Sequence, residues 1–243
     1  TITTRDLPTG LTAGSLTGVT ITVVGKKCTM PATGQLYKSY SIEHFFSDIG
    51  ISELFTGCRF GQTAIALPSN GLVTFNAQLL GQQMTPGSSQ QLTSPTGPST
   101  SSALAAVNGV LSYNNVDLAI ITGLNITVAP ELEAPAVIGS DIVPWIFMGR
   151  MRVSGNFTAL FMDETLANTF INETEVTLST TLTEGTGAAP DFMRLTMPRI
   201  KAMSDQKSDG AMSLIQSMSF TALQNVSDTA ADLTTFVVQD SLA

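Results

Sequence analysis

Charge is what this chain has least of. Of its 243 residues, 12% are Asp, Glu, Lys or Arg, about half of the ~25% usual in globular domains. So few charges leave two ways to clothe a surface: with Ser, Thr, Asn and Gln, or with other molecules. What charge there is leans acidic, to a net −8. That excludes a grip on nucleic acid through phosphate neutralisation. It does not exclude nucleic acid passing close by, because a negative wall repels a duplex at every position alike. Histidine occurs once, at His44, beside Glu43 and two phenylalanines and in no recognisable nucleophile motif. A triad is unsupported and a structural role is expected. Two cysteines, Cys28 and Cys58, make neither a disulfide framework nor a metal quartet and are expected as reduced, packed thiols. The longest apolar stretch, Ile142 to Gly149, is interrupted by Pro144 and is too short for a membrane span, and no leader is legible from Thr1. Walker A, dinucleotide-binding glycine and H-E-x-x-H patterns are missing, so no cofactor, no metal and no enzymatic activity are expected.

What the chain does have is strand periodicity. In Val116 to Val128 the even positions are largely apolar (Val116, Leu118, Ile120, Leu124, Ile126, Val128), with Asp117, Gly123, Asn125 and Thr127 on the other face. Met151 to Phe161 repeats the alternation, with Val153, Phe157 and Ala159 inside, opposite Arg152, Ser154, Asn156 and Thr158. Asp163 to Ile171 then changes period. Leu166 with Phe170, and Ala167 with Ile171, fall one turn apart after an Asp163 N-cap, which predicts a short helix. Period two returns at Val176, Leu178 and Leu182.

Further strands are expected at Thr17 to Val24, Phe55 to Leu67, Gly71 to Leu80, Val107 to Tyr113, Pro144 to Phe161, Thr174 to Thr183, Phe192 to Lys201, Met212 to Leu223 and Leu233 to Gln239. A second short helix is expected around Ile42 to Asp48. Pro68-Ser-Asn-Gly71 and Asn114-Asn115 are turn signals. Residues 85–102 form a Pro, Gly, Ser and Thr tract that buries little apolar area. The expected organisation is therefore residues 1–84 as a first β unit, 85–102 as a linker, and 103–243 as a second β unit with a long arm at 131–150. The fold class is mainly β: an antiparallel sandwich or partly open barrel with one or two short helices. A weak repeat links the halves, since Phe55-Thr-Gly57 resembles Ile121-Thr-Gly123 and Val73-x-x-Asn76-x-x-x-Leu80 matches Val153-x-x-Asn156-x-x-x-Leu160. An internal duplication is expected.

Phe55-Thr-Gly-Cys-Arg59, Pro68-Ser-Asn-Gly-Leu-Val-Thr74, Arg152-Val-Ser-Gly-Asn-Phe-Thr-Ala159 through Phe170-Ile-Asn-Glu-Thr-Glu175, and Leu195-Thr-Met-Pro-Arg-Ile-Lys201 together resemble the tail tube (major tail) proteins of long, non-contractile-tailed bacteriophages. The likeness covers roughly residues 40 to 225 and lies in the order and spacing of strands and turns. It implies a virion protein, assembled in the host cytoplasm, whose rings stack into a hollow tube. The tube would enclose the tape measure protein, meet terminator and tip proteins at its ends, and conduct DNA without binding it specifically. If the duplication holds, three chains make a ring of pseudo-sixfold symmetry; otherwise six are needed, and three is favoured. An extracellular fibre, adhesin or pilus-like subunit would share the Thr- and Asn-rich strands and is the competing reading.

Three sets of residues carry site expectations. The carboxylates Asp117, Glu131, Glu133, Glu173 and Glu175 are either solvated and helix-capping groups or, on the tube reading, part of the lining of the channel. The segment Ala136 to Met148 holds the one tryptophan. It is either a core strand or an exposed arm contacting the next ring through Val137, Ile138, Ile142, Trp145 and Phe147. Arg199 and Lys201 are expected to pair with acidic groups across subunit contacts, or to be plain surface charges.

Overall fold

In the computed structural model the described residues are 2–4, 21–23, 25–30, 37–93, 97, 102–106, 110–114, 116–117, 120–184, 191–209, 213–226 and 233–241. Among these described residues fifteen strands and one helix follow in order. The first half holds β1 (Ile2–Thr4), β2 (Ile21–Val23), β3 (Lys26–Thr29), β4 (Tyr40–Phe46), β5 (Ile51–Pro68), β6 (Thr74–Leu80) and β7 (Gln83–Gly87). The second holds β8 (Val110–Tyr113), β9 (Val116–Asp117), β10 (Ile121–Glu133), β11 (Phe147–Leu160), α1 (Thr165–Ile171), β12 (Val176–Thr183), β13 (Phe192–Asp209), β14 (Leu214–Ala222) and β15 (Val237–Asp240).

Apart from the parallel pair β1 and β2, the strands join into one 13-stranded antiparallel sheet that stays open. Its main path is β4-β5-β10-β11-β14-β13-β12-β8-β9, with β6 and β7 on β5, and β15 carrying β3 on β13. Two strands of 18 residues change partners along their length, and the change along β13 folds the sheet into layers. The first half of β13 pairs with β12 and β15, and the second half pairs with β14. Strand β5 does the same, meeting β4 and β7 before Gly57 to Cys58 and then β6 and β10. At the changeover Gly57 takes a φ of 64°, a left-handed value that glycine adopts at no steric cost.

The core lies between the layers. Ile126, Phe157, Met218 and Phe220 from β10, β11 and β14 meet Leu178, Leu182, Leu195 and Met197 from β12 and β13, and α1 adds Leu166. Across the gap the rings of Tyr113 and Phe157 meet edge to face at 6.2 Å. Gly155 sits under this packing. A side chain there would overlap the Asn125 carbonyl and the Phe220 ring, so a strand-interior glycine marks a close approach.

Several boundaries differ from the sequence reading. The segment Ile42 to Asp48 is not a second helix; it lies in β4 and the turn after it, with Ile42 opposite Phe55 and Phe46 opposite Ile51. Of the apolar positions of Val116 to Val128, Val116 lies on β9, Ile120 in a turn, and Leu124, Ile126 and Val128 on β10, while Leu118 lies outside the described residues; Asn114 takes a φ of 52° in the β8–β9 hairpin. Residues 85–87 of the expected linker form the end of β7, where Gly87 pairs with Ser52. Part of the Thr17 to Val24 strand and parts of the 85–102 tract lie outside the described residues.

The two motif pairs of the repeat occupy hairpins that lie side by side, β5–β6 and β10–β11, joined by β5–β10 pairing. Their registers differ. Asn125 faces Asn156, so the aligned motifs would set Arg59 against Asn76; Arg59 faces Leu80, four residues along.

Candidate assembly surfaces

The loop from Ala134 to Ile146 connects β10 and β11 at the far end of their hairpin. It has one anchor in the interior, Ile146, which is fully buried. Around that anchor the chain is clipped to the first half of the molecule. The Gln82 side-chain amide donates to the Pro144 carbonyl at 3.0 Å, and the Val143 N–H donates to the Gln82 carbonyl at 3.2 Å. The guanidinium carbon of the buried Arg59 lies over the Trp145 ring, 4.7 Å from its centre, and over the Tyr37 ring at 5.2 Å. Beyond the clip, side chains point outward. Ile138 is completely exposed at 107%, Phe147 at 52% and Trp145 at 48%, with Val137 and Ile142 exposed as well. Gly139 turns the tip with a φ of 86°.

A second apolar surface flanks β6. This strand pairs only with β5 among the described residues and leaves both faces open, with Phe75 63% exposed and Leu79 and Leu80 exposed beside it. The cause is visible in the register. Phe75, Ile65, Ile126, Gly155, Phe220 and Ala202 form one cross-strand row over β6, β5, β10, β11, β14 and β13. The core covers the Ile126-to-Phe220 part of that row and stops short of Phe75.

The opposite face of the same six strands is polar. One row reads Thr74, Ala66, Asn125, Asn156, Ser219 and Ser204; the next reads Asn76, Ala64, Thr127, Ser154, Thr221 and Lys201; a third reads Pro68, Gly123, Thr158, Ser217 and Gln206. Hydroxyls bond across it, Thr122 to Thr158 at 2.8 Å and Ser204 to Ser219 at 2.6 Å, the kind of cross-strand pair that steadies a sheet.

Three of the carboxylate candidates, Glu131, Glu173 and Glu175, are paired with Arg152, Lys201 and Arg199, cations of this same polar face. Helix α1 begins with Asp163 accepting the Thr165 N–H at 2.9 Å, so the expected cap bond is there one residue ahead of the helix's formal boundary. It ends in a Schellman turn: Glu173 N–H donates to the Phe170 carbonyl and Thr174 N–H to the Thr169 carbonyl. Glu173 therefore takes the left-handed position usually given to glycine, at φ 52°, and this aims its carboxylate at Lys201, 2.6 Å away. Glu175 receives a two-pronged bond from Arg199 at 2.6 and 2.7 Å, and Arg199 also donates to the Gln224 carbonyl. The lysine and arginine bonds hold the Glu173 and Glu175 carboxyls below their ordinary values, and Glu175 raises Arg199. Arg199 and Lys201, expected to pair across subunits, have acidic partners within the chain. Glu131 pairs with Arg152 at 3.0 Å, Glu133 sits opposite Phe147 at the base of the arm, and Asp117 lies on β9 at the far end of the sheet path. His44 packs on Phe46 with ring centres 4.1 Å apart and the ring planes tilted by 42°. Cys58 is buried, which raises its thiol pKa, and Cys28 is exposed, contrary to the packed thiol expected there. Among the described residues no group of His, Cys, Asp or Glu could hold a metal ion, and no helix is long and apolar enough to cross a membrane.

Sequence reasoning passed over Arg59, Gln82 and Glu43. Glu43 accepts the Gln91 and Leu92 N–H groups at 2.7 and 2.8 Å, bonds that lower its pKa and pin the segment after β7 to β4. No local pattern marks these residues, because each acts on a segment distant in sequence.

A layered antiparallel sheet with a long exposed apolar arm has the surfaces of an assembling subunit, and comparison with known families bears on what it assembles. The family of phage tail tube proteins matches residues 5–222. The chain belongs to that family. As a tail tube protein it is a structural, self-assembling component of the virion's tail. No curated protein matches it. Among solved structures, a chain of the "Cryo-EM structure of the anti-feeding prophage (AFP) baseplate, 6-fold symmetrised" is similar at 15% identity, with a TM-score of 0.35, over 52% of this chain and 92% of that one.

Proposed function

We propose that this tail tube protein polymerises as stacked rings into the tube of a long, non-contractile phage tail, encloses the tape measure protein during assembly in the host cytoplasm, and conducts DNA at ejection. The observation that carries this reading is the distribution of uncovered apolar side chains. The molecule buries a full core yet leaves Phe75 and Leu79 open along a sheet edge and Ile138, Trp145 and Phe147 open on the arm. Exposed sheet edges and aromatic patches of this kind mark contacts. The β6 edge then serves the neighbour within a ring and the arm serves the next ring, while terminator and tip proteins cover the surfaces left at the tube ends.

In this proposal residues 1–84 and 103–243 act as two tube-type units, and three chains close a ring of pseudo-sixfold symmetry. Support comes from the two hairpins already lying edge to edge in one sheet through β5 and β10. Six chains would follow if the four-residue difference in register reflects unrelated halves. Negative-stain microscopy of the purified chain tests the reading. Hollow rings or tubes, with three chains per ring by mass measurement, are expected; thin solid fibres, or a monomer up to saturating concentration, overturn it.

A further inference from the structure

We infer that the polar face of the six-strand sheet is the channel wall, and that this wall is uncharged: a hydrated lattice of hydroxyls and amides past which double-stranded DNA slides, in place of a lining of carboxylates. The inference rests on the tube reading above. In the three polar rows Lys201 alone is charged, and Glu173 neutralises it at 2.6 Å. The remaining side chains are small or amide-bearing, with Asn125, Asn156 and Ser219 at the centre. Charge reappears in the row beyond Lys201, where it is again paired, Arg152 with Glu131 at 3.0 Å and Arg199 with Glu175 at 2.6 and 2.7 Å.

The face fits no dry contact between copies. Interfaces are anchored by buried aromatics and arginines in well-packed pockets, and the three polar rows offer neither, whereas β6 and the arm offer several aromatics. It is therefore an exposed surface suited to staying wet. For a passing polyanion its chemistry is favourable on both sides of zero. Unpaired cations would bind phosphates and release counterions, which adds friction in every ring. A dense carboxylate lining would instead raise an electrostatic barrier to entry. Hydroxyls and amides exchange bonds with water and do neither.

The test places cysteine on the wall in a Cys28→Ser background, the remaining Cys58 being buried. In assembled tubes, Asn125→Cys and Ser219→Cys are expected to react with a small methanethiosulfonate. They should be shielded from a maleimide carried on polyethylene glycol too bulky to enter the tube ends. In dispersed subunits both reagents should react. Reaction with the bulky reagent in tubes puts the face outside, and reaction with neither makes it a contact between copies; each result overturns the inference while leaving the tube reading intact. Failure of the unsubstituted chain to form tubes overturns both. The charge claim has its own arm. In phage particles, Asn125→Lys with Asn156→Lys should slow DNA release on the order of tenfold at low ionic strength and lose that effect in high salt. Release unchanged by the lysine pair refutes a wall whose neutrality matters.

Discussion

Replacing Ile138 by serine separates folding from assembly. Ile138 is 107% exposed at the tip of the arm, beside the left-handed Gly139, so nothing in its own subunit loses a partner when it is shortened. Fold stability is expected to move by no more than about 0.5 kcal/mol, as for other surface changes. If the side chain is buried against the next ring, its loss removes about 1.5–3 kcal/mol of transfer free energy per subunit contact. At ~1.4 kcal/mol per factor of ten, the concentration at which tubes first form should rise roughly 10- to 100-fold. Sedimentation of polymer across a concentration series reads that threshold, and thermal melting by circular dichroism reads the fold. An unchanged threshold with an unchanged melt would remove Ile138 from the inter-ring contact. A melt lowered by many degrees would refute the premise that the arm tip packs against nothing in the free subunit.

Other outcomes follow from particular contacts. Gly155→Ala drives a methyl group into the Asn125 carbonyl and the Phe220 ring and should cost about 1–3 kcal/mol in urea unfolding, the usual range for overpacking; a neutral result would show that β10 and β11 can separate at that point. Gln82→Ala removes the side-chain bond to Pro144, and amide exchange at Val143 should quicken while the melt barely shifts. Acid should loosen the end of α1: Glu173 and Glu175 have folded pKa values below their unfolded ones, so what they contribute is complete above the unfolded value of about 4.3 and is lost as pH falls through the depressed values. Exchange of the amides at 172–175 should rise over that interval, and Arg199→Ala should flatten the Glu175 part of the response; no acid dependence there would show the pairs to be energetically idle.

The paired strands of the second half were legible in the sequence because each is buried on one side only. Leu124, Ile126 and Val128 alternate with Asn125 and Thr127, and Val153, Phe157 and Ala159 alternate with Ser154, Asn156 and Thr158, which fixes both the faces and the strand type. Helix α1 was legible from Leu166 and Asp163. The first half was harder to read because its strands lack that contrast. Tyr40 to Phe46 is mostly exposed or half-buried, so its apolar residues follow no core and its helix-like spacing meant nothing. Strand β13 runs on through Lys201 to Asp209, a stretch polar enough to look like a loop; cross-strand partners on β14 hold it extended. For the charged residues, the sequence showed which signs were present but not that the Schellman turn after α1 would bring Glu173 to Lys201 within one chain.

The 18-residue strand β13 has a mechanical consequence. It begins in the layer of β12 and β15 and ends in the layer of β14, so the two layers are stitched by continuous backbone as well as by packing. A shear that slid one layer over the other would have to break ladder hydrogen bonds along both halves of this strand together. In the proposed stack of subunits, twist applied to one layer of the wall would pass through the covalent chain into the other, and the wall would turn as a single stiff body.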